Sequence, residues 1–501
     1  MRLDTRILDA TERYADAVAL VSGPHRVTYA QFGAQVRKLA EEIRAAGPRS
    51  VAAIVPVSNR PGDYVAQVAA WHAGLVVVPV HRGTPAARLA AIVAQTGARL
   101  LVGQDVPATW SGPVEHAGEA AQVHPVGTGP SATPAPLDSD QALVVFTSGS
   151  TAQPKGVVLS HAAFIGKLAT IETVLPFPAG STTLQVLQPH FSFGQWTSLL
   201  TLLSGATLLL RERFDTGDVL RTLVESDVAR IAVVPTMARM LLRDAPAEGT
   251  GGSRPAPLWI CGGEVLPPAV GEGLGRLLPG SRIADVYGLS ESCTSDFIVP
   301  PQEYDKAAGT IGRPSPNVMA AVVDEHRQPV PPGEVGELAL RTPYLMTGYL
   351  GDAAATAAAV RDGWLYTGDL GRLRADGRVE LAGRSKTLIS RGGIKLSPLE
   401  IENAYAGCPG CAEVIAVGIP DAVFGERVHL LIVPDRAAGP AARLTAERMR
   451  VWGRGRLEPA KVPDVFHEIR EIPLGQTGKT DRRAARQLVL HPEAGRVHRI
   501  R

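Results

Sequence analysis

Between Leu143 and His161 the chain reads LVVFTSGSTAQPKGVVLSH. An apolar run leads into Thr147, Ser148, Gly149, Ser150 and Thr151; Pro154, Lys155 and Gly156 come next, and a second apolar run spans Val157 to Leu159. Hydroxyls, glycines able to turn their N–H groups inward and one lysine are the ingredients of a phosphate cradle. The order GxxxxGK[ST] is absent, and a strand pattern rather than a helix start follows the lysine. The stretch therefore argues against a P-loop kinase or ATPase.

Other charged residues stand beside turn-forming neighbours. Asp369 follows Thr367-Gly368, and Arg384 lies fifteen residues further on. Glu291 closes the run Asp285-Val-Tyr-Gly-Leu-Ser-Glu, and Lys479 ends a glycine-rich turn with Gly475 and Gly478. The chain has only eight lysines, so each invites inspection as a flexible point charge distinct from the many planar arginines.

Six further segments appear in a fixed order. They are Cys261–Glu264 (CGGE), Asp285–Glu291 (DVYGLSE), Leu345–Tyr349 (LMTGY), Trp364–Leu370 (WLYTGDL), Gly383–Glu400 (GRSKTLISRGGIKLSPLE) and Pro473–Lys479 (PLGQTGK). With the Ser/Gly/Lys stretch, they resemble the adenylate-forming enzymes: acyl- and aryl-CoA synthetases, the adenylation domains of peptide synthetases, and luciferases. The resemblance spans essentially the whole chain and looks most like a stand-alone acyl- or aryl-CoA ligase. Lys155, Lys386 and Lys479 all fall at motif positions.

The resemblance implies roles residue by residue. Thr147 through Thr151 and Lys155 hold the ATP phosphates, while Gly262, Gly263, Glu264 and Asp285 through Gly288 surround the nucleotide. Tyr287 offers a flat face to adenine, and Asp285 an oxygen for its amino group, where peptide-synthetase domains more often have Asn. Ser290 keeps a hydroxyl in place of the more frequent Thr, and Glu291 holds Mg²⁺, a hard ion that takes few protein oxygens. Asp369 accepts the ribose hydroxyls and Arg384 reaches the ribose or phosphate. Lys479 bridges the substrate carboxylate and the α-phosphate during attack. Lys386 marks a hinge about which the C-terminal domain swings, and Gly392-Gly393 resemble the loop beside a pantetheine tunnel.

For the acid itself, QPHFSFGQW (188–196) resembles the start of the family's carboxylate pocket, with His190 and Phe191 near the reacting carboxylate. Peptide-synthetase domains carry an Asp for the α-ammonium group where this chain has Gly194. A buried ammonium without a counter-charge is costly, which disfavours an amino acid. Phe193, Gly194, Trp196, Trp259, Cys261, Val286, Cys293 and Thr294 form an expected uncharged wall suited to an aryl or modest alkyl acid. The expected reaction is formation of acyl-AMP with release of pyrophosphate, then transfer to the pantetheine thiol of CoA. The alternative is loading onto an acyl carrier protein's phosphopantetheine or another nucleophile. Cys408-Pro-Gly-Cys411 resembles a turn the family writes His-Pro-Gly-Val, so those cysteines read as substitutions in a buried turn. Neither a second CxxC nor a nearby His pair completes a zinc set.

These residues need a scaffold. With 501 residues, 45% hydrophobic and 20% charged, the chain fits two to four ordinary globular domains. Fifty-one basic against 49 acidic side chains leave a net charge of +2, which gives no reason to expect nucleic acid or an anionic membrane surface. Four cysteines are too few for a disulfide framework. No apolar run is long enough for a membrane helix, and acidic residues interrupt the N-terminal stretch, so the cytoplasm is the expected location.

Helical spacing at 29–46, 62–73 and 86–97 alternates with strand-like runs at 51–55, 75–80 and 100–102, the pattern of an α/β sheet covered on both faces. Residues 103–140 and 249–257 read as loops. From residue 318 short strands suggest a smaller β-rich subdomain, and helix and strand mix beyond residue 385. The expected fold is α/β: a large N-terminal domain over 1–384 of α/β subdomains with a small β-rich one, then a small mobile α+β C-terminal domain over 385–501.

Overall fold

The computed structural model describes residues 2–46, 51–103, 122–125, 137–147, 155–245, 256–435, 444–475, 479–492 and 497–500. The chain divides into two compact units: Met1–Ala320 with Leu340–Tyr366, and Ala321–Ala339 with Thr367–Arg501. The mixed α/β class read from the sequence is the class observed.

In the first unit, described strands form two sheets. A nine-stranded sheet orders Arg313–Pro314, Phe297–Val299, Arg282–Tyr287, Leu258–Gly262, Arg230–Val233, Thr182–Gln185, Thr207–Leu210, Val18–Ser22 and His25–Thr28. A seven-stranded sheet orders Gly348–Tyr349, Lys155–Ser160, Gln141–Thr147, Val76–His81, Ala52–Val57, Leu100–Gly103 and Gln122–Pro125. Its centre is parallel, and all six residues of Ala52–Val57 are buried, as expected of a strand covered on both faces.

The helix Tyr29–Ala45 shows how local signals set the elements. Thr28 and Gln31 form a reciprocal capping box at its start, and Phe32, Val36, Leu39 and Ile43 bury one stripe. Leu199–Leu210, apolar but interrupted, becomes the end of helix Ser192–Leu203 and the strand Thr207–Leu210. Within the stretch read as a loop, residues 122–125 form a strand antiparallel to Leu100–Gly103. The expected loop at 249–257 lies mostly outside the described residues.

In the second unit, a six-stranded sheet is built on the long antiparallel pair Cys411–Asp421 and Gly425–Pro434. The helix Pro398–Tyr405, capped by the Ser397 side chain, covers it, and Ile401, Tyr405, Leu430, Ile432 and Phe466 share one core. Val379–Arg384 pairs antiparallel with Trp364–Leu373, setting Asp369 opposite Arg384.

Candidate active site

In the first unit, antiparallel pairing of Gln141–Thr147 with Lys155–Ser160 puts Thr147 directly opposite Lys155. Both ends of the Ser/Gly/Lys loop are thereby pinned together; Ser148, Gly149, Ser150 and Thr151 lie outside the described residues. The segment after Met346 zips onto the lysine strand: Thr347 N donates to Val158 O at 2.9 Å and Leu350 N to Gly156 O at 2.8 Å. This brings Tyr349 beneath Lys155, whose Nζ sits 4.8 Å from the ring centroid.

Tyr349 also reaches the expected metal carboxylate. Its hydroxyl donates to Glu291 Oε1 at 2.8 Å, and Met346 N donates to the Glu291 carbonyl at 2.7 Å. Burial, then the Glu291 charge, holds the Tyr349 hydroxyl far above its ordinary pKa, so it remains a donor. Ser290, in the same 3₁₀ turn as Glu291, shares a 2.8 Å hydrogen bond with Ser192. Glu291 thus presents a hard carboxylate oriented by a phenol, which fits one protein ligand to Mg²⁺ with phosphate and water as the rest. Among the described residues no group of three or more His, Cys, Asp or Glu is placed to hold a metal.

The turn is anchored from behind. Cys293, Thr294 and Ser295 take φ values of 57°, 70° and 50°, three consecutive non-glycine residues in the left-handed region. Asp296 then accepts from Lys167 Nζ at 2.7 Å and from the Ser292 hydroxyl, and both partners of the Lys167–Asp296 pair are inaccessible to solvent. Gly288 lies against Thr294 and Ser295.

Parallel pairing of Leu258–Gly262 with Arg282–Tyr287 sets Cys261 beside Asp285 and Gly262 beside Val286. Asp285 is buried, and that burial raises its carboxyl to about 8, partly opposed by the Val286 backbone N–H. A carboxyl protonated at pH 7 both donates and accepts, which fits an adenine edge carrying an amino group and a ring nitrogen. Tyr287 makes an edge contact with Phe297 at 5.8 Å. Gly263 follows the strand with φ 86°, and Glu264 accepts the Thr236 hydroxyl at 3.0 Å.

The His190 ring lies 3.8 Å from the Phe191 ring, tilted by 46°, and 5.3 Å from the His81 ring. Burial, then His81 and Arg88, lowers it to about 3, so it is a neutral imidazole throughout the physiological range. Its buried Nδ1 has no hydrogen-bond partner among the described residues. Phe193 stacks on Trp196 at 5.6 Å and remains partly exposed. Trp196, Trp259, Cys261 and Cys293 are fully buried, Trp196 and Cys293 in one core and Trp259 and Cys261 in another; Thr294 is also buried. At Gly194 a Cβ would stand 2.3 Å from the Gln188 carbonyl, so backbone closeness alone requires glycine there.

In the second unit Asp369 is buried and its Oδ1 accepts Arg384 Nε at 2.6 Å, while most of the arginine side chain is exposed. An acceptor held this way beside a cation suits a vicinal diol flanked by phosphate. Lys386 is exposed in the 3₁₀ turn Ser385–Thr387 that follows. Lys479 lies beside Gly475: Leu474 bridges Thr480, and Gly475 N donates to Lys479 O at 2.8 Å. Gly392 and Gly393, both at positive φ, form a tight turn whose first amide donates to Phe424 O at 2.7 Å.

Sequence reasoning missed Tyr349, Ser192, Lys167 and Asp296 as supports of this site. Tyr349 and Ser192 lay in recognised segments, LMTGY and QPHFSFGQW, while Lys167 and Asp296 lay in none.

Residues 8–350 match the family described as AMP-binding enzyme, and residues 400–479 match the AMP-binding enzyme C-terminal domain. A feruloyl-CoA synthase of an Amycolatopsis species is 30% identical over 474 residues, covering 92% of this chain and 94% of that protein. The fatty acid–[acyl-carrier-protein] ligase ScoC of Streptomyces coeruleorubidus is 28% identical over 502 residues, covering 94% and 93%. ATP-bound MatB from Rhodopseudomonas palustris shares the fold, with TM-score 0.82 at 22% identity over 98% of this chain and 100% of that one.

Proposed function

Because the chain belongs to the AMP-binding enzyme family, we propose that it activates a small aryl or short- to medium-chain carboxylic acid with ATP and passes the acyl group to a thiol. The observation that carries this reading is the meeting of Lys155, Tyr349 and Glu291, a phosphate-type cation and a metal-type carboxylate joined through one phenol.

In the first step the acid attacks the α-phosphate, pyrophosphate leaves and an acyl-AMP remains. Thr147 and Lys155 hold phosphate oxygens, and we assign Ser148, Gly149, Ser150 and Thr151 of the same sequence motif to that role as well. Mg²⁺, when bound at Glu291, neutralises charge on the phosphates. Asp285 and Tyr287, beside Gly262, Gly263, Glu264, Val286 and Gly288, receive adenine, and Asp369 and Arg384 receive the ribose. Lys479 supplies the mobile cation for the carboxylate and phosphate as they approach. His190, neutral, positions the acid without adding charge, and Phe193, the partly exposed one of the three aromatic residues expected in the wall, offers it an aromatic face.

In the second step a pantetheine thiol displaces AMP. Names among the relatives support two acceptors: CoA in the feruloyl-CoA synthase and a carrier protein in ScoC. We favour CoA, with an acyl carrier protein as the alternative. We also assign the hinge to Lys386, the domain boundary to residues 384–385, and the enzyme to the cytoplasm. No helix among the described residues is long and apolar enough to cross a membrane.

Pyrophosphate exchange into ATP, scanned over aryl, short alkyl, medium alkyl and amino acids, tests the reading. Exchange driven by an aryl or alkyl acid supports it; exchange driven only by an amino acid, or by none, overturns the substrate assignment. A Lys479→Ala variant should lose acyl-AMP formation yet keep thiol transfer from supplied acyl-AMP. Equal loss of both steps would remove Lys479 from its assigned role.

A further inference from the structure

The segment Cys408-Pro-Gly-Cys411 connects the helix Pro398–Tyr405 to the strand Cys411–Asp421 and has no part in the chemistry above. Cys411 N donates to Cys408 O at 3.0 Å, closing a four-residue turn with Gly410 at φ 93°. Proline followed by a positive-φ glycine is the type II pattern. Such a turn holds its end Cα atoms within about 7 Å, close to the span a disulfide bridges. Each thiol perturbs the ionisation of the other, in opposite directions.

The two sulfurs have different surroundings. Cys408, though only 7% exposed, lines a cavity of about 200 Å³ together with Pro409, Leu444, Arg448, Met449 and Trp452, and its sulfur lies 3.8 Å from Met449 Sδ. Cys411 is not part of that lining. The Cys411 thiol, then Arg448 and Arg456, draw the Cys408 thiol below its ordinary range against the opposing effect of burial. The Cys408 thiol and burial push Cys411 upward. Arg456 is stacked on Trp452, 3.5 Å from the ring centroid, which fixes its charge near the cavity.

We propose that Cys408 and Cys411 form a thiol–disulfide exchange pair whose co-substrate is a small acidic disulfide entering the cavity beside Arg448. The Cys408 thiolate attacks one sulfur of that disulfide, forming a mixed disulfide and expelling one thiolate. Cys411 gives its proton to the expelled thiolate and attacks the Cys408 sulfur. The second small thiol leaves, so two cysteine thiols are oxidised and one disulfide is reduced to two thiols. The division into an attacking and a resolving sulfur follows thiolate availability and access.

The test incubates the reduced, native full-length chain with oxidised glutathione, followed by acid quench, alkylation and peptide mass spectrometry. The expected product has lost two hydrogens within the peptide bearing Cys408 and Cys411, while buried Cys261 and Cys293 remain thiols. Cys411→Ser should halt at one glutathione bound on Cys408. Arg448→Ala should slow the first step by about threefold or more, and Arg448→Lys should restore it. Unmodified Cys408 and Cys411, glutathione persisting on Cys408 with Cys411 intact, or oxidation that includes Cys261 would each overturn the proposal.

Discussion

The Tyr349 hydroxyl donates to Glu291 Oε1 at 2.8 Å while the Lys155 ammonium sits 4.8 Å from the centre of the same ring. One phenol thus orients a carboxylate through its oxygen and positions an ammonium through its face. A hydrogen bond to a charged group contributes about 1.5–3 kcal/mol. Tyr349→Phe keeps the ring and removes only the donor. Acyl-AMP formation should fall by about 10- to 100-fold, with a higher Mg²⁺ requirement and little change in folding stability. Pyrophosphate exchange measured across a Mg²⁺ titration checks this; an unchanged Mg²⁺ dependence removes Tyr349 as a positioning residue.

Asp285 gives a pH signature in the nucleotide-free protein. Its carboxyl is raised from 3.8 to about 8 by burial, so the folded chain takes up a proton that the unfolded chain has already lost. Its contribution to stability is complete below about pH 4 and is lost as pH rises toward 8. Asp285→Asn carries no such titration. The variant should gain on the natural chain by up to about 1.4 kcal/mol per pH unit between pH 5 and 8, then level off. Urea unfolding at several pH values reads the difference; parallel curves would contradict it.

The buried pair Lys167–Asp296 makes a different prediction. Removing one partner leaves an uncompensated charge in the core. Lys167→Met should therefore destabilise by about 3–5 kcal/mol. Lys167→Met with Asp296→Leu removes both charges and should recover much of that loss, which denaturant midpoints of the three chains will show.

His190 is neutral across the working range because burial and its His81 and Arg88 neighbours lower it to about 3. The ratio of His190→Asn to natural activity should stay constant from about pH 6 to 9. A ratio that bends near neutrality would assign a proton-carrying role to His190.

Much of this was legible in sequence. The stripe Phe32, Val36, Leu39 and Ile43 marks the helix expected over 29–46, and the apolar run at 51–55 marks the strand observed at 52–57, because both signals are local. The hydroxyls, glycines and lysine of the 147–156 stretch read as a phosphate cradle by type and spacing, whereas the adenine, ribose and metal roles came only through the family resemblance. The strand at 122–125 was hidden because Gly, Pro and Ser around it read as connection, and pairing with Leu100–Gly103 supplies what propensity lacks. The supports of the site depend on distant pairing. Tyr349 reaches Glu291 across 58 residues because its strand registers on Val157, and Lys167 reaches Asp296 across 129. Gly194 invited a pocket reading from an expected counter-charge, whereas its nearest neighbour is a backbone carbonyl.

Cys293, Thr294 and Ser295 give the Glu291 turn an energetic character of its own. Each left-handed non-glycine residue costs about 1–3 kcal/mol, so the three together hold the loop like a set spring, with the Lys167–Asp296 pair as its catch. Relaxing it with Thr294→Gly would ease the folded backbone while widening the unfolded ensemble. The turn therefore sets backbone ease against sharpness of aim: a looser loop carries less strain and is poorer at presenting its carboxylate.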